Sequence, residues 1–283
     1  MKVLFVGVFD SKSTNNSQVQ AFERQGHVVY AYDYRNPDSG FSGDAIFDEV
    51  VGLRHSFRPD MVLFSKCRDF PTWVWEDYED IPKVLWYMDP VNGNYTERLV
   101  ELMKLSDFVY CNIWEAVERS RDLGIPAELL QEGFDRMVDR PFPIEEDKDV
   151  TFIGDTRGER RAYQDAVGFE VITGVYGEDH AKAVCRSRIN LNFTEGGSSD
   201  RSYKVMAAGG FLLTQPWPHM EDDFTVGLDL DVFTTVEELK EQIAKYWNIS
   251  RRRAIAWHGN RTVQKFTRDN WVTRIVNDVS GVS

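Results

Sequence analysis

Apolar runs alternate with helix-period segments along the whole chain. The first apolar run is followed by polar residues and then by a segment with apolar residues at helical spacing, which Gly26 ends. Such alternation predicts a parallel sheet wrapped by helices. In the first half, the predicted strands cover residues 3–9, 27–34, 61–65, 83–88, 108–111 and 128–130, and the predicted helices cover residues 17–25, 47–57, 96–105 and 113–123.

The pattern starts again after the segment RPFPIEEDKD at residues 140–149. Two prolines and a run of charges without apolar periodicity are typical of a linker. Behind it, strands are predicted at residues 150–153, 169–173, 189–193, 211–214 and 231–233, helices at residues 159–167, 179–186, 200–208 and 236–246, and a helical tail after them. The sequence predicts an α/β fold of two Rossmann-like domains, residues 1–140 and 141–265, with ligands at the carboxyl ends of the strands in a cleft between them.

Composition places the chain among ordinary globular proteins, since 42% of its 283 residues are hydrophobic and 28% are charged. Its cysteines, Cys67, Cys111 and Cys185, lack the spacing of a zinc site and favour a reducing, cytoplasmic setting. No apolar stretch approaches the roughly 18 residues of a membrane span, and the first apolar run meets Asp10 before it could form a signal-peptide core. We expect a cytoplasmic protein without a membrane partner.

The negative charge lies almost wholly in the first half. Residues 1–150 carry 16 basic and 28 acidic side chains, a net charge of −12, whereas the remainder carries 17 and 18. Proteins that bind long nucleic acids usually carry an excess of basic groups, because neutralising phosphates supplies much of the affinity. The first half is therefore a poor candidate for binding DNA.

The segment RINLNFTEGGSSDRSYKVMAAGGFLLT, from residue 188, combines a buried strand, a Gly196-Gly197 loop and a helix start. A helix start offers backbone N–H groups and a partial positive charge, which suits phosphate. Arg201 in the first turn adds a guanidinium that can hold phosphate oxygens in a bidentate way. The alternative is an ordinary loop with a surface arginine.

The segment VTFIGDTRGERRAY, from residue 150, has the same arrangement of a strand, a glycine and a helix start with arginines. Arg157, Arg160 and Arg161 cluster where a predicted helix begins, although acidic residues are preferred in a first turn. We expect at least one of them to meet an anionic ligand, the alternative being a solvated helix face.

From residue 150 to about residue 275 the sequence resembles the C-terminal domain of CgeB-like glycosyltransferases, relatives of retaining glycosyltransferase family four with the two-domain GT-B fold. The resemblance is carried by FIGDTRGERR, VYGED, INLNF and RSYKVMAAGGFLLT, and then by TTVEELKEQIAKYW and IAWHGNRTVQKFTRDNWVTRI in the same order. It covers nearly half of the chain and is looser in the first half. It implies a C-terminal helix, residues 266–283, that crosses back to the N-terminal domain.

The resemblance further implies that the second domain binds a UDP-linked sugar and the first binds the acceptor. The residues it assigns to the donor are Arg157, Arg161, Tyr176, Gly177, Glu195, Gly196, Gly197, Arg201 and Lys204. Because such groups stabilise the charge that develops on the departing diphosphate, neither a metal nor a cofactor beyond the donor is expected. The alternative is a metal-dependent site, for which the acidic loops at residues 221–223 and 229–231 are the candidate ligands.

Lys204 departs from the family pattern, in which a glutamate at this position grips the donor ribose. A lysine cannot accept hydrogen bonds from hydroxyl groups. Either Glu195 takes over this role, or the donor differs, or the site no longer catalyses transfer.

Two acidic residues of the first half follow predicted strands. Asp10 follows the first strand and Asp89 follows the strand KVLWYM, so both are candidate catalytic groups on the acceptor side. A helix cap is the alternative for Asp10, and a turn with Pro90 is the alternative for Asp89. The aromatic cluster at residues 70–78 is either a stacking wall or part of the core.

The resemblance implies a metal-independent, retaining glycosyltransferase that moves a sugar to a hydroxyl acceptor. A small molecule, a glycan, a protein or a hydroxymethylated pyrimidine in phage DNA are possible acceptors, and the acidic first half disfavours DNA. Two other functions stay open: a nucleotide-sugar binding protein without turnover, suggested by Lys204, and another phosphate-handling α/β enzyme such as a sugar-nucleotide epimerase.

Overall fold

The structure is a computed structural model that describes residues 1–35, 44–91, 95–194 and 196–281. The chain divides into two units, Met1–Glu132 with Arg268–Ser283, and Gly133–Thr267. Each unit contains one parallel sheet. Within the described residues, no helix is both long and apolar enough to cross a bilayer.

The elements alternate along the chain as the apolar pattern predicts. The strands are β1 (Lys2–Gly7), β2 (Val28–Asp33), β3 (Met61–Ser65), β4 (Lys83–Tyr87), β5 (Phe108–Cys111), β6 (Ala127–Leu129), β7 (Lys148–Ile153), β8 (Glu170–Ile172), β9 (Ser187–Asn192), β10 (Leu212–Thr214) and β11 (Asp231–Val232). The helices are α1 (Asn15–Arg24), α2 (Asp44–Ser56), α3 (Thr72–Asp77), α4 (Glu97–Leu105), α5 (Trp114–Asp122), α6 (Glu159–Val167), α7 (Glu178–Arg186), α8 (Asp200–Ala207), α9 (Val236–Tyr246), α10 (Ile249–Thr262) and α11 (Arg268–Ser280).

The sheet of the first unit has the strand order β2-β1-β3-β4-β5-β6. Alternate residues of β1 face opposite sides: Leu4 belongs to a core with residues of α2, α3, α4 and α5, whereas Phe5 belongs to a core with residues of α1 and α11. Because both faces are covered, the strands read as continuous apolar runs. Trp271 of α11 meets Phe22 and Trp86 with ring centroids 6.0 and 5.2 Å apart, so the last helix is part of this unit.

The aromatic cluster at residues 70–78 belongs mainly to the core. Phe70, Trp75 and Tyr78 are buried, and Trp75 stacks on Phe64 with ring centroids 3.8 Å apart. Trp73 alone of the four aromatic side chains is exposed, at 39%. The short helix α3, which carries Trp73 and Trp75, is not predicted by the apolar pattern because its six residues are too few to show a helical period.

The sheet of the second unit has the order β11-β10-β9-β7-β8. One face packs on α7 and α8 through residues such as Val184 and Met206. The other face packs on α6, α9 and α10 through residues such as Tyr163, Leu239 and Ile255. The sheet is therefore covered on both sides, as in the first unit.

The second unit begins at Gly133, before the predicted boundary after residue 140. Phe134 is 1% exposed in a core cluster of this unit, and its N–H donates to the carbonyl of Phe266 at 3.1 Å. Within the predicted linker, the Phe142 ring packs against the same cluster, and its N–H donates to Cys185 Sγ at 3.3 Å. Phe142 is thus a half-buried contact of this proline-rich, charged segment with the core of the second unit, and no periodic pattern in the sequence predicts it.

Candidate functional site

Chain order in the second sheet reverses between β7 and β9: β7 continues to β8 on one side, and β9 continues to β10 on the other. In open parallel sheets, ligands bind beyond the carboxyl ends of the strands at such a reversal. Gly154 follows β7, and the described residues between β9 and α8 are 193–194 and 196–199. The candidate donor residues of this unit follow these strands or lie near the first turns of the helices.

Asn192, at the end of β9, is fully buried and fixes the start of α8. Its Oδ1 accepts hydrogen bonds from Ser199 Oγ at 3.2 Å and from Arg201 Nη1 at 2.9 Å. Its Nδ2 donates to Ser202 Oγ and to Thr214 Oγ1, both at 3.0 Å. An amide has two donor and two acceptor positions, and all four are used here.

Arg201 lies over the ring of Phe152, with its guanidinium carbon 4.7 Å from the ring centroid. Gly154 makes this approach possible, because a Cβ there would stand 2.8 Å from Arg201 Nη2 and 2.9 Å from the Phe152 ring. The backbone of Gly154 also has a φ of 152°. The guanidinium is thus held at the end of β7 by the Phe152 ring and the Asn192 amide. The absence of a side chain at Gly154 leaves the space that it occupies.

Of the three clustered arginines, Arg160 converges on the same ring. Its guanidinium carbon is 5.7 Å from the Phe152 centroid, and Nη1 donates to the carbonyl of Asp155 at 3.2 Å. Arg157 is 87% exposed and pairs with Asp155, and Arg161 is exposed and pairs one turn along α6 with Asp165. The arginine that the structure brings beside Arg201 is therefore neither of the two that the resemblance assigns to the donor.

Two helices of this unit begin with a glycine in the same unusual conformation. Gly177 caps α7 with φ 56° and ψ −136°, and Gly158 caps α6 with φ 56° and ψ −133°. Residues with a Cβ avoid this region, and a glycine cap places no side chain over the helix start. Tyr176, just before Gly177, has an exposed side chain.

His180, which the sequence analysis does not single out, is buried in the first turn of α7 at 8% exposure. Within the described residues, its Nδ1 has no hydrogen-bond partner. Burial, together with the positive charges of Lys204 and Arg201, lowers the pKa of His180 to about 3, although the negative charge of Asp200 opposes the shift. The imidazole is therefore neutral at physiological pH, beside the charged first turn of α8.

Lys204 lies one turn along α8 from Asp200, and Nζ donates to Asp200 Oδ2 at 2.6 Å. Both side chains are about three-quarters buried. The lysine at the unusual position is thus held by a carboxylate of its own helix, and the pair lies close enough to affect His180.

The glycine loop leads into α8 through Ser199. Gly196 is exposed with φ 84°, Gly197 is half-buried, and Glu195 lies outside the described residues. Ser199 occupies the cap position, but its side chain donates to Asn192 and does not cap the helix. The loop conformation is therefore tied to the end of β9.

The acidic candidates of the first unit lie past its strands. Asp89 follows β4 and pairs with Lys66, which follows β3, with Oδ1 and Nζ 3.4 Å apart. Lys66 adopts a φ of 61°, which is unusual for a residue with a Cβ. Asp10 accepts a hydrogen bond from the N–H of Lys12 at 2.8 Å within a turn, and Thr14, not Asp10, is the cap of α1.

Asn192 and His180 are the site residues that sequence reasoning missed, whereas Arg160 is one of the three clustered arginines of which the sequence predicts that at least one meets an anionic ligand. The signal for Asn192 was present, because a polar residue ending an apolar strand beside a helix start must satisfy its amide. Nothing local distinguishes Arg160 from its neighbours, and the burial of His180 depends on packing against α8.

A family model described as Glycosyl transferase-like matches residues 136–277. No curated protein matches the sequence. HepE from Anabaena, in complex with UDP and glucose, has a similar structure, with a TM-score of 0.75 at 10% identity over 99% of this chain and 100% of that chain. Sucrose-phosphate synthase from Thermosynechococcus elongatus has a TM-score of 0.70 at 10% identity and covers 100% of both chains. A glycosyltransferase from Rickettsia africae has a TM-score of 0.69 at 9% identity, over 99% of this chain and 98% of that chain. The predicted fold class, α/β with two parallel sheets as in GT-B glycosyltransferases, is confirmed.

Asn192→Leu should destabilise the second unit, because it leaves the buried groups around the amide without partners. We expect a loss of at least about 2 kcal/mol in the free energy of unfolding beyond that of Asn190→Leu. Asn190 is the matched control: it lies on the same face of β9, its Nδ2 makes one 3.4 Å bond, and within the described residues its Oδ1 has no partner. Urea titration of both variants measures the difference, and equal losses would contradict the role given to Asn192.

His180 should make the protein less stable in mild acid. The unfolded chain takes up a proton near pH 6.5, whereas the folded protein takes it up only near pH 3, so stability falls as the pH drops through that window. The limiting slope is about 1.4 kcal/mol per pH unit. Urea unfolding at several pH values should show this slope in the wild type and a shallower one in His180→Gln, with half-buried His258→Gln as the control. Parallel curves for wild type and His180→Gln would mean that the imidazole titrates freely in the folded state.

Proposed function

This chain belongs to the glycosyl transferase-like family, and we propose that it transfers a sugar from a nucleoside-diphosphate donor to a hydroxyl acceptor. The observation that carries the proposal is the convergence of Arg160 and Arg201 on Phe152, at the strand reversal of the second unit and beside the first turn of α8. Cations and helix starts at such a position suit a diphosphate. A UDP-linked donor is supported by HepE, whose structures are described in complex with UDP and with UDP-glucose.

We assign the diphosphate to Arg201 and Arg160, with the Gly196-Gly197 loop against it and Arg157 on the solvent side. Tyr176 and Gly177, before α7, would lie by the nucleobase, since the exposed phenol ring offers a stacking face. His180 would meet the donor through Nδ1. A neutral imidazole presents either one N–H donor or one acceptor at that atom, so it suits a phosphate oxygen or a ribose hydroxyl.

In the transfer, the bond between the sugar C1 and the diphosphate oxygen breaks, and the acceptor oxygen bonds to C1. Negative charge grows on the departing diphosphate, and fixed guanidinium groups stabilise it without having to reorganise. We propose that Arg201 and Arg160 supply this stabilisation without a divalent metal. The outcome at C1 is proposed to be retention, from the resemblance to CgeB-like enzymes and glycosyltransferase family four.

The acceptor is proposed to bind to the first unit, with Asp89 as the group that receives or orients its hydroxyl proton. The carboxylate of Asp89 is 28% exposed, and Lys66 keeps it beside the end of β3. Asp10, past the end of β1, is the second candidate. A cytoplasmic site of action is proposed because Cys67, Cys111 and Cys185 are all free thiols.

A nucleotide-sugar binding protein without turnover is the second candidate function. It is favoured by Lys204, whose ammonium is bound to Asp200 at the position where the resemblance to CgeB-like glycosyltransferases implies a ribose-binding glutamate. Donor hydrolysis separates the two functions: release of UDP from a panel of UDP-sugars supports the enzyme, whereas binding without release supports the binding protein.

Arg201→Ala should lower donor turnover by about 10²- to 10³-fold, as the loss of a group that stabilises the developing charge does. Arg160→Ala should also lower donor turnover, but by less, because the guanidinium carbon of Arg160 lies farther from the Phe152 ring than that of Arg201, at 5.7 Å against 4.7 Å. Arg161→Ala is the matched control, since it removes an arginine of the same helix that is exposed and paired with Asp165. Release of UDP and thermal melting measure activity and folding in parallel. Equal activity of Arg201→Ala and Arg161→Ala would refute the diphosphate assignment.

Lys204→Glu should weaken binding of the protein's own donor. The change places two carboxylates one turn apart on α8 and removes positive charge beside the diphosphate. Lys182→Glu is the control, because it makes the same charge change on α7, where Lys182 pairs with Glu178 on an exposed face. Calorimetric titration with UDP-glucose decides the matter. Tighter binding by Lys204→Glu alone would instead favour a degenerate donor site and hence the binding-protein function.

Asp89→Asn should abolish transfer to the acceptor and leave UDP binding unchanged, since it keeps the shape of the side chain and removes its charge. Asp10→Asn is compared with it, because Asp10 accepts a local backbone bond and has no ion pair within the described residues. Transfer assays with a hydroxyl acceptor, run beside UDP titrations, distinguish the two. Full transfer by Asp89→Asn would contradict a catalytic role for Asp89 and leave it only the ion pair with Lys66.

A further inference from the structure

A cavity of about 390 Å³ lies at the amino edge of the second sheet. Glu145 and Glu146, just before β7, and Arg188, near the start of β9, are among its lining residues. The donor residues lie past the opposite ends of the same two strands. The strand β7 rises about 3.3 Å per residue, so its two ends, five residues apart, are separated by roughly 17 Å. The cavity is therefore not part of the proposed donor site.

Trp247 gives the cavity an aromatic wall. It stands between α9 and α10, is 50% exposed and lines the cavity together with Ile249. Arg252, 3% exposed, donates from Nη1 to the carbonyl oxygens of Tyr246 at 3.1 Å and Trp247 at 3.3 Å. The backbone that carries the exposed indole is therefore fixed by a buried side chain, and the wall is preorganised.

Charged groups surround this wall in pairs. Arg252 Nη2 lies 2.7 Å from Glu146 Oε2, and Arg253 Nε lies 3.7 Å from Glu146 Oε1. Arg188 pairs with Asp149. The polar lining is thus held in place by ion pairs.

The three lining arginines are balanced by the two lining glutamates and by Asp149, which pairs with Arg188 but does not line the cavity. These charged groups therefore offer no net charge to a strongly anionic ligand. Glu145 makes no ion pair within the described residues, and its carboxylate oxygens are open to hydrogen-bond donors. The guanidinium carbon of Arg188 lies over the Trp247 ring, 5.4 Å from its centre. Hydrogen-bond donors and acceptors therefore stand side by side around an apolar face.

A pyranose ring has the complementary chemistry. One face carries C–H groups that pack on an aromatic ring, and the rim carries hydroxyls that both donate and accept hydrogen bonds. A volume of this size is near the lower end of small-ligand sites, about 300–1,000 Å³. We propose that this cavity is a second, non-catalytic carbohydrate-binding site in which a sugar ring stacks on Trp247.

The choice of a carbohydrate as the ligand of this cavity rests on the proposed function. The cavity in turn indicates which class of acceptor the protein uses. A sugar bound roughly 17 Å from the donor edge cannot itself react, but it keeps a longer glycan attached to the unit that holds the donor. Such attachment raises the local concentration of the glycan's other hydroxyl groups. The structure thus points to an oligosaccharide or polysaccharide acceptor.

The test uses the full chain labelled with 5-fluorotryptophan. The chain has eight tryptophans, and each gives its own ¹⁹F resonance. Trp247→Phe and Trp257→Phe assign the two resonances of interest. Trp257 is the internal control, since it lies on α10, is 57% exposed and does not line the cavity. Titration with maltohexaose, cellohexaose and chitohexaose should shift the Trp247 resonance in a saturable way and leave that of Trp257 in place.

Binding by variants gives the second measurement. Trp247→Ala should bind the shifting oligosaccharide at least about tenfold more weakly than wild type, and Trp257→Ala should bind it as wild type does. UDP titrated into both variants should bind as it does to wild type. If UDP fails to bind to any form while the oligosaccharide result stands, the proposed donor function falls and the carbohydrate site survives.

Several outcomes would overturn the carbohydrate site. One is the absence of a Trp247 shift with all three sugars at millimolar concentration. A shift produced by inorganic phosphate or by UDP, but not by the sugars, would make the cavity an anion or nucleotide site. A shift that depends on protein concentration alone would mean that a second copy of the chain covers Trp247.

Discussion

The side-chain amide of Asn192 uses every hydrogen-bonding position it has at the carboxyl end of β9. Through Ser199 and Arg201 it sets where α8 begins, and through Ser202 and Thr214 it ties that start to the neighbouring strand. A buried amide with all its bonds made is strongly directional, because each displaced partner would leave a polar group unpaired. Together with the ring of Phe152 and the space left at Gly154, this side chain sets the position of Arg201 and with it the proposed diphosphate site.

The cations of the site are held in two different ways. Arg201 is supported by the Asn192 amide and by the ring of Phe152. Lys204 is bound to the carboxylate of Asp200, which makes it a poorer candidate for direct contact with phosphate. His180, neutral because of burial and its cationic neighbours, adds a hydrogen-bonding atom without adding charge. The difference matters for a donor diphosphate, which needs positive charge, and a ribose, which needs hydrogen bonds.

Both sheets reverse chain order near the strand that begins the unit, β1 in the first and β7 in the second. In each, charged side chains gather past the carboxyl ends: Lys66 and Asp89 in the first unit, Arg160 and Arg201 in the second. The same sheet plan thus presents a lysine–aspartate pair on one unit and two arginines on the other. The proposed function uses this difference, with Asp89 for the hydroxyl acceptor and the arginines for the diphosphate donor. The amino edge of the second sheet, with Trp247, has a different character, balanced in charge and partly apolar.

The sequence by itself determined the α/β class and the position of most strands and helices, because two-sided burial leaves continuous apolar runs and helical packing leaves a 3.6-residue period. It also located the strand-loop-helix segments around Arg157 and Arg201, since glycines and helix starts leave local signals. Only the tertiary structure decided that Arg160 joins Arg201, because the direction of each side chain in α6 depends on how that helix sits on β7. The burial of His180, the anchoring of Phe142 and the wall formed by Trp247 were decided in the same way. Each depends on contacts between segments far apart in the chain. The periodicity of apolar residues indicates whether a position is buried, but it does not indicate which residues that position contacts.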